Sequence, residues 1–213
     1  MKIYLIRHGK TPGNLENRYV GRTDESLSGQ GAVELLEGVR NGRYPKWDRC
    51  TAIVSSPMKR CLETSALLFP GCRPEIAENL RECDFGAFEY RNYHEMNHDP
   101  AYNAWVAGGG TGPFPGGEAP EAFRARSVQA FLEAMNNLSA PVAGSNEPAE
   151  ARQPAERLPE QVIFVVHGGT IMAVMAALAS PEKEYFEWQL PNGSGVVCDW
   201  DPAVRRLRWI RNL

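Results

Sequence analysis

Short, nearly unbroken apolar runs recur along the chain, and each ends in a polar turn. Lys2-Ile3-Tyr4-Leu5-Ile6 predicts a strand that stops at Arg7-His8-Gly9. Residues 12–27, rich in Gly, Asn, Arg and Asp, predict a long loop. Ser28 caps a helix expected through about Val39, with Ala32, Leu35, Leu36 and Val39 on one face. Thr51-Ala52-Ile53-Val54 predicts a second buried strand, which runs into the helix-start signal Ser55-Ser56-Pro57 and a helix through about Leu68. Residues 74–77 suit a short strand. The segment 78–117 reads as loop with one or two short helices, and a helix follows over roughly 118–138. Val162-Ile163-Phe164-Val165-Val166 predicts a third buried strand, and His167-Gly168-Gly169-Thr170 turns into an apolar helix over 170–179. Val196–Trp200 and Leu207–Ile210 predict a closing hairpin.

Three strand–loop–helix units with apolar strands imply an α/β fold. The expected form is a three-layer sandwich with a mostly parallel central sheet and helices on both faces. The 213 residues suit one domain spanning 1–213, with a helical cap at about 87–117 and a mobile insertion at about 139–160. That insertion is rich in Pro, Ala and Glu and poor in large apolar side chains.

Composition narrows the function. Hydrophobic residues at 43% and charged residues at 23% exclude a fully disordered or collagen-like chain. A net charge of −3 argues against a protein built around non-specific nucleic-acid binding. No apolar run is long enough to span a bilayer, and the N-terminus lacks a secretory run, so a cytoplasmic location is expected. Cys50, Cys61, Cys72 and Cys83 form no C-x-x-C pair, so reduced thiols are expected for all five cysteines.

In parallel sheets ligands bind beyond the carboxyl ends of the strands. All three units deliver unusual polar residues there: Arg7 and His8, Ser55 to Arg60, and His167. Arginines and histidines at strand ends, beside glycine turns and helix N-termini, suit a multiply charged anion, with phosphate foremost.

The motifs Arg7-His8-Gly9-Lys10-Thr11 with Asn14, Arg18 to Asp24, Leu27-Ser28, Ser55-Ser56-Pro57 with Arg60, Leu80 to Gly86, and His167-Gly168-Gly169-Thr170 occur in this order. Together they resemble the histidine phosphatase superfamily, which includes the cofactor-dependent phosphoglycerate mutases. Lys10 departs from the Glu or Gln usual in the family. The resemblance implies a phosphoglycerate mutase-like fold and hydrolysis of a small phosphomonoester through a phosphohistidine, without metal or cofactor. His8 is then the nucleophile and Glu82 the general acid and base. Arg7, Arg60 and His167 hold the phosphate oxygens, with Asn14, Gly21 and Gly168 in the same binding set.

Glu82 is followed by Cys83-Asp84-Phe85-Gly86 rather than the Arg-His-Tyr of the mutases, and His167 by Gly-Gly-Thr rather than Gly-Asn. Both features resemble the phosphatase branch. The Tyr19–Asp24 loop and Phe114-Pro115-Gly116-Gly117-Glu118 are similar to α-ribazole phosphatases, although Ala119 replaces a usual Ser. The alternatives are a phosphoglycerate mutase and a catalytically inactive binding module. A homodimer stays open.

His94-Glu95-Met96-Asn97-His98 matches the zinc protease pattern H-E-x-x-H. A zinc site needs a third ligand, and Asp99-Pro100 cuts any helix just past His98. A polar helical cap is the better reading, with Tyr90, Tyr93, Tyr102 and Trp105 either contacting the rest of the substrate or, the favoured alternative for each taken singly, packing as core. Arg124 and Arg126 could reach a second acidic group, but beside Glu121 they suit a solvated helix face.

Overall fold

The computed structural model describes residues 1–48, 50–139 and 159–213. Residues 140–158, the bulk of the expected insertion, lie outside the described residues, as does Arg49. Seven strands form one sheet: β1 (Lys2–Arg7), β2 (Thr51–Ser55), β3 (Glu75–Ile76), β4 (Gln161–Val166), β5 (Ala179–Ser180), β6 (Gly195–Asp201) and β7 (Arg206–Asn212). Their order is β3-β2-β4-β1-β6-β7-β5. The pairs β3–β2, β2–β4 and β4–β1 are parallel, whereas β6 runs antiparallel to both β1 and β7. This is the mixed, mostly parallel α/β sheet expected from the apolar runs.

The helices are α1 (Pro12–Leu15), α2 (Gly29–Arg40), α3 (Lys59–Leu68), α4 (Tyr93–Met96), α5 (Pro100–Ala107), α6 (Pro120–Ser139) and α7 (Gly168–Leu178). Alternation along the central strands feeds two cores. Ile3, Leu5, Val162, Phe164 and Val166 pack with Phe131 and Met135 of α6 and Ile171 and Val174 of α7. Ile6, Ile163 and Val165 face the other way, toward Leu35 of α2 and Cys61 and Leu68 of α3. Both faces of β1 and β4 are thus buried, and their carboxyl ends open at the centre of one sheet edge. Among the described residues no helix is long and apolar enough to cross a membrane.

The packing face of α2 differs from the expected one. Leu35 is buried, but Leu36 and Val39 are 37% and 42% exposed. The buried positions are Gly31, Leu35 and Gly38, which repeat at helical spacing. A Cβ at Gly31 would lie 2.1 Å from the Lys10 carbonyl oxygen, and one at Gly38 would meet the Tyr44 ring at 2.7 Å. The helix seats itself through the glycines, which a hydrophobic pattern does not register. Residues 12–27 also begin with the helical turn α1, closed by a reciprocal Thr11–Asn14 cap.

Candidate active site

Register builds the site. Arg7 pairs with Val166 across β1 and β4, and Ser55 pairs with Val165 across β2 and β4. The residues that follow, His8, Ser56 and His167, therefore emerge side by side. The His8 N–H donates to the Val166 carbonyl at 3.0 Å, and Gly193 N–H is shared between the Arg7 and His8 carbonyls.

His8 is 3% exposed. Its Nδ1 lies 2.7 Å from the Gly9 carbonyl oxygen, which can only accept, so Nδ1 carries the proton and Nε2 keeps its lone pair. Burial, then the charges of Arg60 and Arg7, hold its pKa well below the ordinary histidine value. The ring is neutral and nucleophilic at Nε2.

Arg7 donates through Nη1 to the Leu190 carbonyl at 2.5 Å. Its Nε is buried and has no hydrogen-bond partner among the described residues. A Cβ at Gly168 would stand 3.2 Å from this guanidinium, so glycine there makes room for the cation. Arg60 is fully buried at the start of α3. It donates to the Gly21 and Thr23 carbonyls at 2.8 Å each and to His167 Nδ1 at 3.3 Å. A guanidinium has five N–H groups, so one on each terminal nitrogen of Arg60 has no partner among the described residues.

His167 caps α7 and is fully buried, its ring centroid 5.2 Å from that of His8. Its Nδ1 accepts from Arg60, which leaves the proton on Nε2, 2.8 Å from Ser56 Oγ. Both nitrogens are engaged, so direct contact with a phosphate oxygen requires Ser56 or Arg60 to exchange partners. Burial first, then Arg60, His8 and Arg7, depress its pKa well below the usual range.

Glu82 reaches in from the segment after a 3-10 turn at Glu78–Leu80. Its carboxylate accepts from the Cys83 N–H at 3.0 Å and the Gly169 N–H at 3.3 Å. Burial pushes its pKa above the ordinary glutamate value, against the lowering pull of these two bonds and of Arg60 and Arg7. Asn14 accepts through Oδ1 from the Thr11 N–H and from Asn192 Nδ2, at 3.3 and 3.1 Å, which turns its own amide NH2 away from both.

One cavity of about 700 Å³ joins Arg7, His8, Asn14, Glu82 and Gly168 to Tyr19, Phe85, Tyr93, Tyr102, Trp105 and Phe114. Gly21 does not belong with the expected phosphate contacts. Its N–H is spent on Glu89 and its carbonyl on Arg60, which leaves it nothing to donate. A Cβ there would sit 2.0 Å from the Cys83 carbonyl oxygen, so its contribution is a close backbone approach. Gly21, Arg60 and His167 do not line the cavity, the last two lying fully buried just behind His8 and Arg7. Tyr90 also lies outside the lining and donates to Glu25. Arg126 is no solvated residue: it pairs with Glu118 through two nitrogens and holds the Asn79 and Arg81 carbonyls just before Glu82.

Three side chains escaped the sequence reading. Asn192 ties the His8 carbonyl to Asn14. Tyr185 faces the cavity, with the Arg124 guanidinium 4.2 Å above its ring. Ser56 was visible only as a helix-start signal, yet it contacts His167. The H-E-x-x-H stretch does not form a ligand helix. The helix α4 ends at Met96, before His98, and Glu95 is held by Arg18 through both oxygens at 2.8 Å. Among the described residues no three His, Cys, Asp or Glu side chains converge as a metal cage. All five cysteines are free thiols.

The geometry of His8 yields a direct test. Nitrogen-resolved NMR of labelled protein at about pH 6.5, the ordinary histidine value, should place the His8 proton on Nδ1 with Nε2 unprotonated, and this state should persist well below that pH. An imidazolium signal, or a proton on Nε2, would contradict the assignment.

The chain is similar to several known proteins. The chain is 29% identical to a phosphoglycerate mutase from Thermus thermophilus of known structure, covering 100% of this chain and 98% of that one with a TM-score of 0.65. The α-ribazole phosphatase from Shigella flexneri superposes with a TM-score of 0.75 over 99% of this chain and 96% of that one, but at 22% identity that likeness shows the fold alone. A Hydrogenobacter thermophilus protein named "Putative phosphoserine phosphatase 2" is 26% identical over 181 residues, 83% of this chain and 78% of that protein. The profile of the histidine phosphatase superfamily (branch 1) matches residues 3–213, and the chain belongs to that superfamily, whose members are phosphatases or mutases.

Proposed function

We propose that the chain hydrolyses a small phosphomonoester through a phosphohistidine on His8. One observation carries this reading: His8 presents an unprotonated Nε2 at the cavity while the Arg7 Nε is buried beside it without a partner among the described residues. Nε2 attacks phosphorus, and the bond to the alcohol oxygen breaks in line. Arg7, the two spare N–H groups of Arg60 and the Asn14 amide hold the non-bridging oxygens, so fixed donors meet the transition-state charge. Glu82, favoured as the acid by its raised pKa, gives its proton to the departing alkoxide. The resulting carboxylate then takes a proton from the water that attacks phosphohistidine. This releases phosphate and restores neutral His8.

Hydrolysis is favoured over isomerisation by the residues after Glu82 and His167, which depart from the mutase pattern. The aromatic wall of Tyr19, Phe85, Tyr102, Trp105 and Phe114 suits an alcohol bearing a flat ring, and α-ribazole 5′-phosphate is such a substrate. Arg124 favours a second reading. It lines the cavity over Tyr185 and forms no ion pair among the described residues, which suits a carboxylated alcohol such as phosphoserine.

Quenching with labelled substrate should trap an acid-labile, base-stable phosphoryl group. His8→Ala should lose both label and turnover, and activity should survive dialysis against EDTA. Label retained in His8→Ala would refute the nucleophile assignment.

A panel of α-ribazole 5′-phosphate, phosphoserine and 3-phosphoglycerate separates the substrate readings. Free phosphate should appear fastest from α-ribazole 5′-phosphate. A preference for phosphoserine that Arg124→Ala abolishes would select the second reading. Rapid formation of 2-phosphoglycerate without phosphate release would select the mutase.

Glu82→Gln should slow phosphohistidine formation from alkyl phosphates by about a hundred- to ten-thousand-fold, with little effect on nitrophenyl phosphate, whose leaving group departs without a proton. The acid form of Glu82 is the active one. The wild-type rate on alkyl phosphates should therefore fall as pH rises through its raised pKa, and Glu82→Gln should abolish that fall. Equal losses on both substrates would assign Glu82 to binding or folding instead.

A further inference from the structure

Glu89 lies just past the 3-10 turn Gly86–Phe88 and touches none of the reacting groups. Its carboxylate nevertheless collects three backbone N–H groups. Oε1 accepts from Gly21 at 2.9 Å and Thr23 at 2.8 Å, and Oε2 accepts from Phe85 at 3.2 Å. Gly21 and Thr23 are also the residues whose carbonyls accept from Arg60 Nη2 and Nη1. Successive peptide units between residues 20 and 24 thus alternate, N–H toward Glu89 and C=O toward Arg60.

This arrangement solves a problem specific to an anion-binding arginine. A carboxylate placed directly on Arg60 would fix the guanidinium but would also compete with phosphate for its N–H groups and cancel its charge. Among the described residues no carboxylate pairs directly with Arg60. Neutral carbonyls hold it instead, and the negative charge sits on the far side of the loop that carries them. A guanidinium donates along fixed directions, so anchoring two of its edges decides where the remaining N–H groups point.

We propose that Glu89 is a positioning residue. It braces the 21–23 loop so that Arg60 aims its two spare N–H groups at the substrate phosphate. This rests on the reading of Arg60 as a phosphate ligand. Loss of Glu89 should act through Arg60 alone, so the two residues should be energetically coupled.

The test is a double-mutant cycle on the full chain with inorganic phosphate as the probe, its dissociation constant measured by calorimetry and the fold checked by circular dichroism. Glu89→Gln should weaken phosphate about tenfold, the order expected when a supporting contact behind a ligand is lost. In an Arg60→Lys background the same change should cost less than about twofold, because the fork it aims is already gone. Equal fold losses in both backgrounds, or wild-type affinity in Glu89→Gln, would overturn the proposal while leaving Arg60 as a ligand. Unchanged affinity in Arg60→Lys would overturn the phosphate role of Arg60 and this proposal with it. Should Glu89→Gln lose its fold, Glu89→Asp carries the same comparison. A carboxylate one methylene shorter cannot reach the 21–23 loop and Phe85 together.

Discussion

Positive charge buried without a directly paired carboxylate is the constraint around which this molecule is organised. Arg60 is fully buried and Arg7 half-buried, and neither forms an ion pair among the described residues. Burying a charge costs several kcal/mol unless dipoles or counter-charges replace the lost water. Here the replacements are the carbonyls of Gly21, Thr23 and Leu190 and the Nδ1 of His167. These acceptors lower the cost without neutralising the guanidinium groups, so the site keeps an excess of positive potential at the sheet edge. A phosphate dianion relieves that excess better than any neutral ligand.

The titration of the two reactive groups follows from the same field. Arg7 and Arg60 disfavour a proton on His8, reinforcing burial, so the imidazole stays neutral. Those cations also favour the ionised form of Glu82, and here burial outweighs them. One group is kept without its extra proton and the other is inclined to keep one, the division that the proposed nucleophile and acid require.

Several of the side chains that the fold brings together at the cavity, Arg7, His8, Asn14 and Glu82, were singled out from the sequence. Apolar runs ending in Arg7-His8, Ser55-Ser56 and His167 placed three strands correctly, and the register of β1, β2 and β4 brings their ends together. Besides Asn192, Tyr185 and Ser56, what escaped was written in backbone and in glycine. Arg60 is held by carbonyls, which every residue type possesses, so no letter announces them. Glu89 carries no signal in the sequence, because its partners are backbone amide N–H groups. The face of α2 was misjudged because Gly31 and Gly38 pack closest while scoring as neither apolar nor polar. Asn192 lies far from His8 in sequence, in a turn with no distinguishing pattern, and only the fold brings it to Asn14.

On the proposed function, the two ends of the cavity answer to different physics. The phosphate end depends on direction. Hydrogen bonds weaken steeply with misalignment, so Arg7, Arg60 and His8 admit little variation in placement. The cap end depends on area. Tyr19, Phe85, Tyr102, Trp105 and Phe114 pack mostly edge to face or at a tilt and present a wall whose attraction scales with the apolar surface covered. Such a wall can be reshaped by exchanging one ring or moving one short helix, with no effect on the aim of the phosphate donors. The two ends touch through the 19–23 loop, where Tyr19 exchanges backbone bonds with Tyr90 and Arg91 of the cap while Gly21 and Thr23 hold Arg60. A change in the cap that shifts this loop would reach the chemistry, whereas one confined to α5 would alter only which alcohol fits.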